Sequence, residues 1–538
     1  MNDQTEASLR KLKEIRSRKD LKLRKTKHLK ETFTDFSGQE RPLVIRYYQV
    51  QGILHLVVMK RFLLGDDTGL GKTIQSIAAL CYVWESDPSR KAIVLTTKSA
   101  TRQWVDEFSK FTTGVKVITC KGTPAQRKVA RKMFTDATGP TVMVTGYRAA
   151  VSDFTEIQKW TGHILITDEA TAYKNPKTQV HQVCRHLGEN ADRVWALTAT
   201  MIKNHLMEGY GIYQVIIPGL FGMSYNQFMM YYALIRLQSL PGNRQVPIIV
   251  GYLPQKIKEF KEMIDPYFLG RPKHEVASEL PTLTSRVVGV ELTPEQESKY
   301  DEALDGLLDM IEKGEAVSKE ISKLTAIAYC QEIVGHMGMI GHVDSDSPKI
   351  DALIEMLTDG DFTGDKVIVF SRFEKMISYT MDRLKKEKIP AVRVTGKENE
   401  DQRRASMKSF QSPDSDTRVI CITTAGSEAI NLQAAKALVC MDTPWSAGEF
   451  LQLLGRMIRI GSEHDKCYVI HMVAERSGKD RETIDHRIME VLNKKMSLVE
   501  AVLGKRIKGV DDKDEAIQVE NDISDLFSSL KKDANRGK

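Results

Sequence analysis

The stretch Asp66-Asp-Thr-Gly-Leu-Gly-Lys-Thr73 follows the apolar Phe62-Leu-Leu64 and runs into helical sequence from Ile74. Strand, glycine-rich loop and helix in that order make a phosphate cradle, because loop amides and a helix N-terminus both turn N–H groups towards an anion. Gly69 and Gly71 let the backbone make that turn, Lys72 offers a compact cation to the β and γ phosphates, and the Thr73 hydroxyl can ligand Mg²⁺. Asp67, Thr68 and Leu70 complete the stretch that would wrap ATP. Asp66 stands where the GxxxxGKT pattern opens on Gly.

Such a loop belongs to a parallel α/β sheet, so the sequence around it should alternate short apolar runs with helical stretches. It does so twice. From Phe33 to Met201 the runs Ala92-Ile-Val-Leu95, Thr141-Val-Met-Val144 and Ile164-Leu-Ile166 read as buried strands. From Lys366 to Val502 the runs Val367-Ile-Val-Phe370, Ala391-Val-Arg-Val394, Val419-Ile-Cys-Ile422, Ala437-Leu-Val-Cys440 and Cys467-Tyr-Val-Ile470 do the same. Two sheets imply one interdomain cleft. Between them lies a stretch rich in aromatic and Met residues with a helical cast, broken at Pro218-Gly219 and Pro241-Gly242. The expected organisation is a basic arm (1–32), a first ATP-binding lobe (33–205), helical insertions with an inter-lobe brace (206–345), a second lobe (346–507) and an acidic tether ending in a short amphipathic peptide (508–538).

Two further signals bear on phosphate chemistry. Ile164-Leu-Ile-Thr-Asp-Glu-Ala-Thr171 puts two acids directly after a buried strand, at the carboxyl edge where α/β sheets bind ligands. Asp168 would hold the magnesium shell with Thr73, and Glu169 would orient the attacking water. In Gln452-Leu-Leu-Gly-Arg-Met-Ile-Arg459, Arg456 and Arg459 share one helix face and could supply arginine fingers from the second lobe.

Bulk composition limits the alternatives. With 538 residues the chain is long enough for two or three cores. The cysteines at 81, 120, 184, 330, 421, 440 and 467 form no CxxC pair, which argues against a disulfide framework or a zinc ribbon and for a reducing cytoplasm. The apolar run Ile53 to Met59 is far too short to span a bilayer, so no membrane partner is expected. Of the net charge of +7, Arg10 to Lys30 contributes eleven Lys or Arg against Glu14 and Asp20 alone. That arm either meets nucleic-acid phosphates or is a solvated, partly helical tail.

Loop, acids and paired arginines in this order resemble the superfamily-two helicase pattern, and other segments narrow the resemblance to the Swi/Snf branch. Ile45-Arg-Tyr-Tyr-Gln49 is similar to that family's adenine-side motif, which implies that Gln49 reads the adenine edge. The family's first motif also opens on Asp, as here at Asp66. Thr96-Thr-Lys98, Arg102-Gln-Trp104 and Thr145-Gly-Tyr147 resemble its DNA-gripping loops, and Leu197-Thr-Ala-Thr200 the motif linking hydrolysis to DNA contact. Val369-Phe-Ser371, Thr423-Thr-Ala-Gly426 with Ile430-Asn-Leu432, and Gly455-Arg-Met-Ile-Arg-Ile-Gly461 resemble its later motifs. Phe268-Leu-Gly-Arg271 through Leu280-Pro281 to Glu291-Leu-Thr-Pro-Glu-Gln296 resembles its brace between lobes. Thr171, Met201 and Ser462 stand where the family usually has His, Pro and Gln.

The resemblance implies two RecA-like parallel-sheet lobes with helical insertions between them, an ATP- and Mg²⁺-dependent ATPase stimulated by double-stranded or branched DNA, and a role in replication, recombination or repair. It implies DNA contacts at Thr97, Lys98, Thr145, Tyr147, Ser371, Arg372, Thr423 and Thr424, and a compact bacterial or phage member. If the lobes close on ATP and open on hydrolysis, loops on each would hold successive backbone phosphates in turn, with little base preference. A strand-separating DNA or RNA helicase, with Tyr225 to Tyr232 as a source of wedge aromatics or alternatively as packing, remains an alternative; so does a nucleotide-switched remodeller of a polymerase. Cys330, His336, His342 and Asp344 match no zinc module, so Mg²⁺ is the one metal expected. Ile523-Ser-Asp-Leu-Phe527, within Ile523 to Leu530, resembles peptides that dock on sliding clamps, although its Gln is missing.

Overall fold

The computed structural model describes residues 3–34, 40–98, 100–199, 201–202, 205–240, 244–276, 281–313, 319–342, 347–426, 430, 432–458, 462, 464–477, 482–503 and 517–518. It divides into two compact units, one built on Met1–Ala233 with Leu253–Ser278 and the other on Leu234–Tyr252 with Glu279–Leu498.

The first unit is a seven-stranded sheet of β1 (Arg61–Leu64), β2 (Lys91–Thr96), β3 (Lys116–Cys120), β4 (Thr141–Gly146), β5 (Ile164–Asp168), β6 (Arg193–Leu197) and β7 (Phe268–Leu269). The order across it is β7-β1-β6-β5-β2-β4-β3, with every pairing parallel. Phe62 to Leu64, Ala92 to Leu95 and Ile164 to Ile166 are fully buried or nearly so. Helices therefore cover both faces, as an unbroken apolar strand requires.

The N-terminal arm is no loose tail over its described length. Helix α1 (Asp3–Ser17) buries Leu12 and Ile15, and packs on α2 (Tyr47–Val58). In Tyr225–Tyr232 the rings of Phe228 and Tyr232 are buried against Tyr210, Phe221 and Phe260, so these aromatics form core and not a wedge; Tyr231 is the exposed ring among them.

The second unit holds β8 (Thr282–Glu291), β9 (Val367–Phe370), β10 (Ala391–Val394), β11 (Val419–Ile422), β12 (Ala437–Cys440) and β13 (Lys466–Glu475), ordered β8-β13-β12-β9-β11-β10 and again parallel throughout. All five strands expected here from apolar runs are present. Strand β8 and the strands Ala233–Leu240 and Arg244–Tyr252 depart from the helical cast expected of 206–345. Residues 206–345 form no body of their own: Phe268–Leu269 joins the first sheet and Thr282–Glu291 the second. As an edge strand, β8 leaves Leu283 and Val287 exposed, and its sequence offers only the short run Val287-Val-Gly-Val290 to announce it. No helix among the described residues is long and apolar enough to cross a membrane.

Three imidazoles tie stability to pH. Burial pushes His55 and His163 in the first unit, and His471 in the second, down to about 4 from the ordinary 6.5. The unfolded chain then binds protons that the folded chain refuses, so the stability these groups contribute is whole above about pH 6.5 and is lost as pH falls towards 4. At pH 5 each costs roughly 2 kcal/mol. Melting temperature should therefore fall by about 5 °C or more between pH 7 and 5; a flat profile across that window would contradict the burial of these rings.

Candidate functional site

The parallel register brings several loops to one edge of the first sheet. Leu269 pairs with Leu64, Leu64 with Leu197, and Leu197 with Asp168. The loop after β1 and the acids at the end of β5 thus start at one level with a single strand, β6, between them, which sets them about 10 Å apart at ordinary strand spacing. That span accommodates a phosphate chain with a cation.

Gly69 and Gly71 have φ of +94° and +80°, the left-handed turn anticipated for them. Helix α3 (Lys72–Ser86) starts immediately after, so its N-terminal amides open towards the loop. Lys72 Nζ donates to the carbonyls of Asp66 at 2.7 Å and Asp67 at 3.4 Å. Thr68 and Thr73 are half-buried and Leu70 is fully buried. Gln49 is nearly buried; its Nε2 donates to the Leu70 carbonyl at 3.2 Å while its Oε1 accepts from the Arg46 amide at 2.9 Å. A Cβ on Gly71 would come within 2.6 Å of that Gln49 nitrogen, so the glycine is needed for contact as well as for φ.

Asp168 is oriented by three neighbours. Its Oδ2 accepts from the Trp104 indole at 2.7 Å and from the Thr96 hydroxyl at 3.1 Å, while Oδ1 accepts from the Glu169 amide at 3.1 Å. Glu169 has φ 55° and ψ 58°, a left-handed conformation that a non-glycine residue adopts at a cost of about 1–2 kcal/mol. Strain at a carboxylate on the ligand-binding edge points to a group held ready for chemistry. Thr171 follows on the 3₁₀ turn Ala170–Tyr173, half-buried.

Several expected DNA contacts sit elsewhere than on a surface. The Thr145 hydroxyl is buried and donates to the Cys120 carbonyl at 3.0 Å, and the buried Tyr147 hydroxyl donates to the Asp168 carbonyl at 2.7 Å. Both support the sheet edge from beneath, Thr145 from the end of β4 and Tyr147 from the helix that follows it. Ser371, also buried, hydrogen-bonds the Asp442 carboxylate, whose acidity burial weakens. The Arg372 amide donates to Asp442 at 2.9 Å; its guanidinium lies over Trp445 and donates to Gln331 at 3.2 Å. Thr97 and Lys98, at the end of β2, and Thr424, beyond β11, are half-buried or exposed, whereas Thr423 is buried with its hydroxyl accepting from the Gly426 amide at 3.4 Å.

Arg456 lies half-buried on Ala447–Met457 in the second unit, and its carbonyl accepts from the Leu432 amide at 3.0 Å. Arg459, Thr200, Leu280, Asn431, Asp344, the 508–516 part of the acidic tether and Ile523 to Leu530 lie outside the described residues. Of the remaining residues weighed for a metal, Cys330 is buried, His336 stacks on Tyr379 with centroids 4.0 Å apart, and His342 faces Glu295 at 3.1 Å. Sequence reading missed Trp104 and Thr96 as holders of Asp168; a Trp on the first helix after β2 was the available signal.

The model of the SNF2-related domain matches residues 48–339, and that of the helicase conserved C-terminal domain matches residues 348–461. The chain is 26% identical over 476 residues to the chromodomain-helicase-DNA-binding protein 1-like of Danio rerio, covering 85% of this chain and 44% of that protein. It is 24% identical over 466 residues to an uncharacterized ATP-dependent helicase of Mycoplasma genitalium, covering 85% of this chain and 42% of the other. The chain thus spans about half or less of the length of these curated relatives. Among solved structures, it is similar to the Sulfolobus solfataricus SWI2/SNF2 ATPase core in complex with dsDNA, with 24% identity, a TM-score of 0.41, and coverage of 86% of this chain and 93% of that one.

Proposed function

This chain belongs to the SNF2-related family, and from that premise we propose that it is an ATP-hydrolysing motor that moves along double-stranded DNA. The observation that carries the reading is the sheet edge on which the glycine loop after β1 and the acids at the end of β5 stand in register, one strand apart. In this reading Lys72 and the loop amides bind the β and γ phosphates, and Glu169 orients the water and takes its proton as the terminal phosphate leaves. Gln49, already bonded to the loop, would meet the base.

The Thr73 hydroxyl and the Asp168 carboxylate form an all-oxygen donor set suited to Mg²⁺, with Asp168 fixed in orientation by Trp104 and Thr96. Bound there, the cation would neutralise charge on the phosphates. Trp104→Phe keeps an aromatic ring against Phe108 but removes the indole donor. Turnover should fall about tenfold, as expected for one charge-assisted hydrogen bond, while the melting temperature changes little; turnover within about twofold of wild type would remove Trp104 from the site.

DNA would be held by Thr97 and Lys98 on one unit and by Thr424 and Arg372 on the other, through backbone phosphates and with little base preference. Thr145, Tyr147, Ser371 and Thr423 are read as supports of those loops. Replication, recombination or repair is the setting that such a motor would serve, and branched DNA is a natural substrate alongside plain duplex. The test is ATP hydrolysis with no nucleic acid, single-stranded DNA, duplexes of several lengths, branched DNA and RNA. Stimulation by duplex that grows with length supports the motor, whereas preference for single strands or RNA would overturn it.

A further inference from the structure

Asp66, the residue that breaks the usual loop pattern, is fully buried. Its carboxylate is gripped by a side chain 205 positions away: Arg271 Nε donates to Oδ1 at 2.9 Å and Nη2 to Oδ2 at 2.6 Å. Gln75 adds a third donor at 3.1 Å. The backbone repeats the connection, since the Gly65 amide donates to the Leu269 carbonyl at 2.7 Å and the Asp67 amide to the Arg271 carbonyl at 3.1 Å. The start of the phosphate loop therefore hangs on Phe268 to Arg271. This segment, where the inter-lobe brace is expected to begin, is an edge strand of the first sheet and its exit.

The same guanidinium also bonds helix α2, on which the N-terminal helix packs. Arg271 Nη1 donates to the Tyr48 carbonyl at 2.5 Å and to Gln51 Oε1 at 3.2 Å. Gln51 Nε2 in turn donates to the carbonyls of Ile15 and Arg16 at 3.2 Å and of Arg18 at 2.8 Å. Arg16 Nη2 closes the circuit on the carbonyls of Asp265 at 2.9 Å and Phe268 at 2.7 Å. Basic arm, Gln51, Arg271 and Asp66 thus form one hydrogen-bonded chain that ends where Lys72 rests on the Asp66 carbonyl.

We propose that Arg271 is a positioning residue of the nucleotide site, fixing the phosphate loop through Asp66, and that Gln51 makes the loop's shape depend on the arm. The proposal rests on the ATP reading above. A buried ion pair can often be exchanged for apolar groups with no loss of stability, so stability alone does not require this one. The planar guanidinium fixes both carboxylate oxygens and leaves Nη1 for the Tyr48 carbonyl and Gln51, which an ammonium of the same charge cannot reproduce.

The experiment measures kcat and KM for ATP, at saturating duplex DNA, for the full chain, Arg271→Lys, Gln51→Leu and the double variant Asp66→Leu/Arg271→Met, beside their melting temperatures. Arg271→Lys should raise KM about tenfold with kcat within about threefold, the expected size for losing hydrogen bonds to a charged group. Gln51→Leu should raise KM about threefold. The double variant should melt no lower than Arg271→Lys yet keep the raised KM, because it lacks the buried charges but not the displaced loop. Unchanged KM in Arg271→Lys, or a wild-type KM in the double variant, would overturn the proposal. Should Arg271→Lys fail to fold, binding of N-methylanthraniloyl-ATP by the double variant decides: weakened binding supports the proposal and wild-type binding overturns it. A wild-type chain that hydrolyses no ATP sinks the motor reading itself, whereas hydrolysis with these KM values unmoved sinks only the role of Arg271.

Discussion

Lys72→Ala is expected to abolish ATP hydrolysis, with turnover reduced at least about a hundredfold, the scale seen when one preorganised charge at a reacting phosphate or oxyanion is removed. The ammonium now rests on two loop carbonyls, 2.7 and 3.4 Å away, within the turn formed by Gly69 and Gly71. These two contacts are to neutral carbonyl oxygens of the loop. Their loss should lower stability by only about 1 kcal/mol, so a near-unchanged melting temperature must accompany the lost activity. Glu169→Gln should reach the same depth by another route: it removes the base while leaving nucleotide affinity in place, so binding of a fluorescent ATP analogue separates the two variants. Turnover by Lys72→Ala within tenfold of wild type would place the phosphate site elsewhere.

Lys349→Met should cost the second unit about 3–5 kcal/mol, the penalty for leaving a buried carboxylate unpaired. Lys349 and Asp485 are 1% and 0% exposed, and Lys349 Nζ lies 2.6 Å from Asp485 Oδ2 and 2.9 Å from the Met441 carbonyl. The same Oδ2 accepts from the Ala474 amide at 3.0 Å. One pair thus fastens the starts of helices Pro348–Thr358 and Ile484–Leu503 to the ends of β12 and β13. With the partner also removed, in Lys349→Met/Asp485→Leu, most of the loss should return, since no unpaired charge remains. Calorimetry of the three proteins checks this; a single variant that melts within about 2 °C of wild type would show that water reaches the pair.

These two side chains differ in how far sequence could reveal them. Lys72 sits in a pattern whose glycines, cation and hydroxyl are local, and strands such as Val367–Phe370 advertise themselves because every residue is buried. The ion pairs Lys349–Asp485 and Arg271–Asp66 join positions 136 and 205 residues apart, so no spacing rule connects them. Phe268–Leu269 is too short to show a period, and the exposed edge strand Thr282–Glu291 has none to show. Thr145 and Tyr147 mark the limit of motif reading: the pattern located their loop at the sheet edge, but the direction of each side chain depends on packing against Cys120 and Asp168 that the motif does not contain.

Movement along duplex DNA is tested most directly by triplex displacement. A duplex carries a short third strand at one end, the wild-type chain and ATP are added, and release of the third strand is followed as the bare duplex ahead of it is lengthened. The motor reading predicts ATP-dependent release after a lag that grows in proportion to that length, absent in Lys72→Ala. Release without a length-dependent lag, or none at all while ATP is consumed, would contradict translocation and leave a nucleotide-driven switch.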